Sequence, residues 1–122
     1  MNAACPFCQP AEVLLENDLA CVIHDRFPAS PGHLLILPRR HVADWFETTA
    51  QERLAMFDLA DAAKTWLDGE FHPDGFNLGV NVGEVAGQTI FHVHLHLIPR
   101  YRGDVAVPRG GVRGVIPTKQ SY

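Results

Sequence analysis

Residues 91–100 read FHVHLHLIPR, with His92, His94 and His96 at every second position and apolar residues in every gap between them. Successive side chains of a β-strand point to opposite faces, so this alternation predicts a strand with three imidazoles on one face and an apolar face that anchors it. Three histidines at this spacing are an uncommon filler for a solvated face. The stretch therefore predicts both one strand of a sheet and the centre of a functional site.

Other apolar patterns predict four more strands. Residues 13–16 and 19–24 are short apolar runs on either side of Asn17-Asp18, a pair that favours a tight turn, and they predict a hairpin. Residues 32–37 predict a third strand, which stops at Pro38. Residues 76–82 alternate apolar side chains with Asn and Gly and predict a fourth strand, so that the histidine stretch becomes the fifth.

One amphipathic helix is predicted between the third and fourth strands. Thr49 and Glu52 fit a capping box, which marks the start of the helix, and the pattern continues to about residue 67 or 70. Antiparallel hairpins need no crossover helices, so the order of elements predicts an α+β fold. The apolar stripe that should lie on the sheet contains Met56, Leu59, Ala60, Ala63, Trp66 and Leu67.

The size and composition of the chain predict one compact domain. Its 122 residues, of which 47% are hydrophobic, suffice for a single core. We expect one domain over residues 1–122, with an N-terminal segment at 1–10 and an ordered C-terminal tail at 101–122 that forms no regular element. No internal repeat or linker is visible.

Charge and hydropathy limit the partners and the location. The net charge of −4 argues against binding of long nucleic acid, which normally requires clustered Lys and Arg, although a small anionic ligand is compatible with it. No apolar run approaches the ~20 residues that span a bilayer, and nothing at the N-terminus resembles a signal peptide. We therefore expect a cytoplasmic protein with no membrane partner. Cys5 and Cys8 are best interpreted as thiols or half of a metal site, and Cys21 as part of a strand core.

The histidine triplet has three interpretations when it is considered alone. It could be a solvated strand face, or a zinc centre, although the ~13 Å between the first and last Cα of the triplet lets at most two of its histidines share an ion. It could also be a nucleophilic site, because a neutral imidazole can attack phosphorus and later leave again. Phosphoryl transfer needs nearby donors, and the preceding residues supply Asn81, Gly87, Gln88 and Thr89.

These motifs closely resemble the histidine triad (HIT) superfamily. The resemblance rests on HVHLH preceded by Ala86-Gly87-Gln88-Thr89 and followed by Ile98-Pro99-Arg100, together with the upstream stretch DRFPASPGH at 25–33 and LPRRH at 37–41. It covers residues 5–100. The tail with Arg102, Asp104 and Arg109 is similar to bacterial members related to the fragile-histidine-triad and diadenosine polyphosphate hydrolases.

The resemblance implies a fold and a reaction. The implied fold is a five-stranded antiparallel sheet with one long helix plus short helices, and the sheet is extended across a homodimer. The implied reaction cleaves a dinucleoside polyphosphate or a nucleoside monophosphate conjugate at the α-phosphate through a nucleotidyl-histidine intermediate, without a required cofactor. We expect a purine nucleotide as substrate, because apolar residues around Leu14, Cys21 or Phe7 could stack its base.

The resemblance also implies roles for individual residues. His94 would be the nucleophile, with its Nδ1 donating to a backbone carbonyl, and His96 would contact the α-phosphate together with Gln88, Thr89 and Gly87. Asn81 would support the phosphate, Asp25 would bind the ribose hydroxyls, and His33 would hold the hydrogen-bond network behind the triplet. Without the resemblance, Asp25 would be interpreted as a turn residue and His33 as a satisfied core histidine.

In some branches of the superfamily, two N-terminal cysteines and two histidines hold a structural zinc ion. The matching positions are Cys5, Cys8, His41 and His92. Two cysteines and two histidines are an ordinary ligand set for structural zinc, with no open position for catalysis. If zinc is bound there, His92 cannot also act as an acid or a phosphate donor, and the chemistry rests on His94 and His96.

Three hypotheses about function remain open at this point. The first is a nucleotide hydrolase with His94 as nucleophile, and the second is a non-catalytic nucleotide-binding module that senses nucleotides. The third is a zinc hydrolase built on the triplet itself. The sequence does not reveal the leaving group, the base or the general acid.

Overall fold

The computed structural model describes residues 5–122 and contains a five-stranded antiparallel sheet with one long helix. This confirms the predicted α+β class. The order of strands across the sheet is β1-β2-β3-β5-β4, and every neighbouring pair is antiparallel. The strands are β1 (Leu15–Glu16), β2 (Ala20–His24), β3 (Leu34–Pro38), β4 (Gly75–Gly79) and β5 (Leu95–Arg100), and the helix is α1 (Ala50–Phe71).

The first hairpin forms because Asn17 organises its turn. The Asn17 side-chain oxygen accepts hydrogen bonds from the backbone N–H groups of Leu19 and Ala20, at 3.1 and 2.9 Å. This is the local bonding that makes Asn favourable in turns. The turn then pairs β1 with β2, and β2 pairs along its whole length with β3.

Helix α1 starts at the predicted capping box. The Thr49 hydroxyl accepts from the Glu52 N–H at 3.0 Å, and the Glu52 carboxylate accepts from the Thr49 N–H at 2.9 Å. Two otherwise unsatisfied donors of the first turn are thereby paired. The helix ends at Phe71 and is capped by His72, which has a left-handed backbone with φ 53°. No helix among residues 5–122 is long and apolar enough to cross a membrane.

The two faces of the sheet have different neighbours. On one face α1 buries Met56, Leu59, Ala60, Ala63 and Leu67 against apolar residues of β2, β3 and β5. Trp66, also predicted in this stripe, packs at its margin and is partly buried. A second, smaller cluster lies on the opposite face and consists of Phe7, Cys21, Ile23, Leu35 and Leu37. The face without α1 is the one on which the histidines gather.

Two strand boundaries differ from the prediction. β5 begins only at Leu95, so His92 and His94 precede it, and β4 ends at Gly79 instead of Val82. β3 ends at Pro38, which has no backbone N–H to extend the ladder towards residues 91–94. The Pro38 carbonyl instead lies 2.8 Å from Nε2 of His92. Side-chain bonds thus replace strand pairing at this end of the sheet.

The C-terminal tail contains short helical turns. Two 3₁₀ helices, at Gly111–Val115 and Pro117–Lys119, follow β5, and the first of them contacts β4. The prediction that residues 101–122 form no regular element is therefore wrong at these two turns. Further 3₁₀ turns occur at Trp45–Glu47 and Glu84–Ala86.

Candidate active site

The three histidines of the triplet occupy two different environments. His92 is fully buried, with no exposed surface, and lies among cysteines and another histidine. His94 and His96 are half-buried, and their ring centroids are 5.0 Å apart. The prediction that all three lie in one strand is wrong, because only His96 belongs to β5.

The hydrogen bond of His94 defines its protonation. Nδ1 of His94 is 3.0 Å from the backbone oxygen of His92, and a carbonyl oxygen can only accept. Nδ1 therefore carries the proton of the neutral ring, and Nε2 carries the lone pair. The ring of Phe7 stacks edge-on against His94 at 5.0 Å between centroids and limits its rotation. The lone pair of His94 is thus held in one orientation.

A chain of hydrogen bonds defines the protonation of His96. The N–H of Ala29 donates to Nδ1 of His33 at 2.9 Å, so the proton of neutral His33 is on Nε2. That Nε2 lies 2.9 Å from Nδ1 of His96 and donates to it. Neutral His96 therefore carries its own proton on Nε2. A nucleophilic nitrogen on His94 and a donor N–H on His96 consequently lie on neighbouring rings.

Asp25 contacts this chain at His33. Its Oδ1 accepts from the N–H of Phe27 at 2.8 Å, which is the turn role considered from sequence alone. Its Oδ2 lies 3.4 Å from Nε2 of His33, a second contact that a simple turn residue would not have. The structure thus brings Asp25, His33 and His96 together, and it places Asp25 on the wall of a cavity.

That cavity of about 420 Å³ lies on the helix-free face, beside the histidines. Its walls are mainly apolar and include Phe7, Ile23, Phe27, Leu35 and Ile90, with Asp25 among them. Of the three apolar positions suggested for base stacking, only Phe7 lines it: Cys21 is buried in the cluster beneath, and Leu14 packs against the helix-side core. Sequence analysis missed Ile23 and Phe27. Ile23 and Phe27 lie two residues before and two residues after Asp25 in the sequence, and Phe27 is 84% exposed in the structure.

The side chain of Gln88, for which the resemblance implies a contact with the α-phosphate, is bonded to backbone groups. It is buried, and its Oε1 accepts from the Gly83 N–H at 2.9 Å, while Nε2 donates to the Ala43 oxygen at 2.6 Å and to the Ile90 oxygen at 3.2 Å. These bonds engage both polar atoms of the amide with backbone groups. Gln88 is therefore built to hold the 83–90 loop in shape, and its side chain does not point freely at a ligand.

The neighbours of Gln88 are the more accessible part of this loop. Gly87 has φ 98°, a conformation that favours glycine, and a Cβ built on it would lie 3.8 Å from Nδ2 of Asn81. Asn81 and Gly87 thus lie side by side, and Thr89 is exposed next to the buried Gln88. Asn81, Gly87 and Thr89 are available for an anionic ligand in a way that the Gln88 amide is not.

A second cluster contains two thiols and two imidazoles. One ligand atom from each of Cys5, Cys8, His41 and His92 lies within 4.8 Å of all the others. Cys8 Sγ is 3.2 Å from Nδ1 of His41 and 3.7 Å from Nδ1 of His92, and Cys5 Sγ is 3.4 Å from the same His92 atom. Tetrahedral zinc separates such ligands by roughly 3.3 to 3.8 Å. The cluster therefore has the dimensions and the donor set of a structural zinc site.

The candidate metal ligands among the described residues form two groups, and this grouping excludes a zinc centre built on the triplet. Nε2 of His92 donates to the Pro38 oxygen, which leaves Nδ1 as the lone-pair atom facing the thiols. His96 is grouped with Asp25 and His33 instead. Within residues 5–122, no group of candidate ligands contains all three histidines of the triplet. The interpretation of a shared triplet ion is therefore wrong.

Burial shifts the protonation of these imidazoles. Desolvation and, to a smaller extent, the neighbouring His94 and His33 lower the pKa of His96 to about 4. Burial also lowers the pKa values of His33 and His92 below the ordinary value. At neutral pH these rings are therefore uncharged, as the tautomers described above require.

We predict that the shifted pKa of His96 makes the protein less stable in acid. Because the folded pKa of about 4 lies below the unfolded value of 6.5, the contribution of neutral His96 is present above pH 6.5 and is lost as the pH falls towards 4. The free energy of unfolding should decrease by about 3 kcal/mol over this range from His96 alone. Urea unfolding at a series of pH values measures it. His96→Gln should flatten the slope and His72→Asn should not; equal slopes in all three proteins would contradict the assignment.

The fold and the site together define a class of protein. It is a small α+β protein with paired histidines on the open face of a five-stranded antiparallel sheet, next to a mainly apolar cavity whose wall includes Asp25. The chain belongs to the HIT family, because the model of the HIT domain matches residues 7–103.

Relatives and solved structures agree with this assignment. An uncharacterized HIT-like protein of Mycoplasma genitalium, MG132, is 34% identical over 106 residues, which cover 82% of this chain and 75% of that protein. The crystal structure of a HIT family protein from Bacillus anthracis has a TM-score of 0.79 at 33% identity, and the match covers 93% of this chain and 86% of the other. A Zn-bound histidine triad family protein from Mycobacterium smegmatis has a TM-score of 0.76 at 32% identity, covering 85% and 80% of the two chains.

Two further relatives have names that state an activity. Adenylylsulfatase HINT3 of Arabidopsis thaliana is 38% identical over 106 residues, which cover 82% of this chain and 54% of that protein. The AP-4-A phosphorylase of Mycobacterium tuberculosis is 31% identical over 93 residues, covering 75% of this chain and 48% of that protein. The family thus includes enzymes that act on nucleotides.

Proposed function

We propose that this protein is a nucleotide hydrolase or transferase that cleaves its substrate at the α-phosphate, with Nε2 of His94 as the nucleophile. The observation that carries the proposal is the pair of tautomers: the lone pair of His94 and the N–H of His96 lie on adjacent rings beside a cavity that contains Asp25. The names of the two enzymatic relatives, which concern a sulfate conjugate and a dinucleoside tetraphosphate, support a substrate with an adenylate group.

The first step exchanges one bond to phosphorus for another. The Nε2 lone pair of His94 attacks the α-phosphorus, an N–P bond forms, and the bond from phosphorus to the leaving group breaks with its electron pair on the departing oxygen, or on the departing nitrogen of a phosphoramidate. The N–H of His96 donates to a non-bridging oxygen as negative charge develops there. The Nδ1–H bond to the His92 carbonyl stabilises the positive charge that the attacking ring acquires.

The second step regenerates the enzyme. Water attacks the α-phosphorus and loses a proton to the solvent, the N–P bond breaks, and the lone pair returns to Nε2 of His94. The product is a nucleoside monophosphate. If another acceptor, such as inorganic phosphate, replaces water, the same intermediate gives transfer instead of hydrolysis.

The other site residues bind the nucleotide in this proposal. Asp25, on the wall of the cavity beside the histidines, accepts hydrogen bonds from the ribose hydroxyls, and the apolar part of that cavity encloses a purine base. Asn81, Gly87 and Thr89 face the phosphate, while Gln88 acts through the shape of the loop and His33 through its bond to His96. His92 takes no part in the reaction, because its ring is occupied by the Pro38 carbonyl and the cysteine cluster.

The proposal includes a structural zinc ion held by Cys5, Cys8, His41 and His92. The donor set and the spacings fit tetrahedral zinc, and the Zn-bound relative from Mycobacterium smegmatis supports it. Four protein ligands leave no open position, so the ion would supply stability and no chemistry to the reaction. No other cofactor enters the proposed mechanism.

We also propose a cytoplasmic homodimer whose sheets join. β4 is an edge strand of the sheet, with Leu78 of the strand 48% exposed, and an uncovered edge of this kind favours pairing with another strand. Light scattering coupled to size-exclusion chromatography measures the mass that decides this point. Cysteine ligands of a structural zinc ion are also more compatible with a reducing compartment.

The direct test of the activity is a panel of nucleotide conjugates. We expect release of nucleoside monophosphate from at least one of diadenosine tetraphosphate, adenosine 5′-phosphosulfate and adenosine 5′-phosphoramidate. Chromatography of the reaction products measures this release. The competing hypothesis of a nucleotide sensor predicts binding of AMP by calorimetry and no release from any of them. That second outcome would exclude the enzyme.

A further inference from the structure

Loop 25–33 joins β2 to β3 and carries His33, whose Nε2 donates to His96. Two hydroxyl groups, one in the loop and one just after β5, form hydrogen bonds between the loop and the end of that strand. On the footing of the function proposed above, we propose that Ser30 and Tyr101, which supply these hydroxyl groups, are positioning residues of the reaction. They hold loop 25–33 in place and thereby keep the proton of His96 on Nε2.

The two hydrogen bonds run in opposite directions between neighbouring residues. The Ser30 hydroxyl donates to the Pro99 oxygen at 2.6 Å, and the Tyr101 hydroxyl donates to the Pro31 oxygen at 2.7 Å. Both acceptors are backbone carbonyls, which can only accept. Because two adjacent loop residues are each bonded to a different residue at the end of β5, the loop is fixed in orientation as well as in position.

Packing holds little of this loop. Residues 26–29 and 31 are exposed, so they bury few atoms against the rest of the protein. Gly32 is an exception: it has φ 88°, and a Cβ built on it would lie 2.9 Å from Cδ2 of Leu67, so the glycine lets the loop approach the end of α1. That approach fixes the residue before His33, and the hydroxyl bonds fix the two residues before Gly32. The hydroxyl bonds therefore carry much of the positioning of the loop.

The residues fixed in this way adjoin the N–H that determines the tautomer of His33. The N–H of Ala29, next to Ser30, donates to Nδ1 of His33 at 2.9 Å, and the His33 N–H donates to the Ser30 oxygen at 3.2 Å. Nε2 of His33 then donates to Nδ1 of His96 at 2.9 Å. Hydrogen bonds weaken steeply when they lengthen or bend, so a displaced loop loosens the donor that keeps Nδ1 of His96 unprotonated.

The location of this proton matters because only one neutral tautomer of His96 can donate to the phosphate. With the proton on Nε2, the ring donates to a non-bridging oxygen as charge develops there. With the proton on Nδ1, Nε2 presents a lone pair to that oxygen, and the two repel each other. Burial lowers the pKa of His96 to about 4, so at neutral pH the ring does not gain a second proton that would supply a donor in either case. The bond from His33 therefore decides whether the donor is present.

Removal of the two hydroxyl groups should lower turnover and spare nucleotide binding. On a conjugate that the wild type cleaves, Tyr101→Phe and Ser30→Ala should each reduce kcat at least about fivefold, and together at least about thirtyfold, while AMP affinity by calorimetry stays within about twofold. Tyr122→Phe and Ser121→Ala are the matched controls, because they remove the same groups from the exposed end of the tail, and both quantities should stay as in the wild type. Lower stability of the double variant with unchanged kcat would show a merely structural role and refute the inference.

A double-mutant cycle shows whether the hydroxyl groups act through His33. His33→Asn removes the donor to His96, so in that background the combined Ser30→Ala and Tyr101→Phe substitutions should lower kcat by less than about twofold further. The same loss of kcat with and without His33 would mean that the two residues act by another route, and that result would overturn the inference.

A measurement of the tautomer separates this inference from the proposed reaction, because it needs no turnover. Nitrogen NMR on isotope-labelled protein distinguishes protonated from unprotonated ring nitrogens, and the proton of His96 should be on Nε2 in the wild type and shared with Nδ1 in the double variant. If the wild type cleaves no conjugate but the proton shifts, the reaction is refuted and the control of His96 by Ser30 and Tyr101 stands. If the wild type is active and the double variant keeps the proton on Nε2, the inference is refuted, whatever its kcat, and the reaction stands.

Discussion

His94→Asn should reduce kcat at least about 10⁴-fold, while AMP binds within a few-fold of the wild-type affinity. An asparagine amide nitrogen has no available lone pair, so it cannot form the bond to phosphorus. The surrounding donors, His96 and the 81–89 loop, remain in place, because the hydrogen bond of the His94 side chain goes to the backbone oxygen of His92 and not to these groups. Steady-state release of monophosphate and calorimetry with AMP measure the two quantities.

The matched control is His72→Asn. His72 is exposed and has a left-handed backbone, which Asn adopts readily, so the same substitution should leave both turnover and binding unchanged. Rapid quenching into alkali with a labelled substrate should trap the nucleotide on the wild type through an acid-labile bond, and on the variant not at all. Turnover of His94→Asn near the wild-type rate, or stereochemical inversion at phosphorus, would show that water attacks directly.

Removal of the proposed zinc ion should have the second largest effect. Cys5 and Cys8 flank Phe7, whose ring packs on His94 at 5.0 Å and on His92 at 6.1 Å and also lines the cavity beside the histidines. Metal ligation would hold this turn on the sheet, so its loss releases a wall of the nucleotide site as well as stability. We expect chelation or Cys8→Ser to lower the free energy of unfolding by about 3 kcal/mol or more. Denaturant unfolding with and without chelator measures the loss.

The control for this prediction is the third cysteine. Cys21 is buried in the cluster on the same face, and burial raises the pKa of its thiol, which keeps it unreactive. Cys21→Ala should keep one zinc per chain by elemental analysis and should keep the stability change on chelation. Cys8→Ser should lose both. AMP affinity should fall in Cys8→Ser and stay close to wild type in Cys21→Ala. A wild-type protein purified without zinc and insensitive to chelator would contradict the metal assignment.

The positions that the sequence predicted well are those determined by local patterns. The capping box at Thr49 and Glu52 is present because it depends only on residues three apart. The apolar stripe of α1 follows from helical periodicity, and five of its six predicted residues are buried on the sheet. The grouping of Cys5 and Cys8 with His41 and His92 was implied by resemblance and could not have been obtained from spacing, since the residues are up to 87 positions apart.

The positions that sequence analysis missed depend on contacts between distant segments. Gln88 looked like a phosphate ligand because it precedes the triplet, but its amide is engaged by Gly83, Ala43 and Ile90. The strand of histidines was predicted to begin too early, because alternation in sequence cannot show that Pro38 ends the neighbouring ladder. The hydrogen bonds that hold loop 25–33 on the end of β5 join residues 69 and 70 positions apart, which no local pattern predicts.

By itself, the sequence determined the class of fold, the helix and the residue types of the site, because periodicity, capping and turn chemistry act over a few residues. Only the tertiary structure decided which histidine does what. The Pro38 carbonyl and two distant thiols surround His92. The backbone oxygen of His92 orients the ring of His94, and a hydrogen bond from His33 determines which nitrogen of His96 carries the proton. Three chemically identical side chains acquire different roles because protonation and orientation are set by partners that only folding brings within hydrogen-bonding distance.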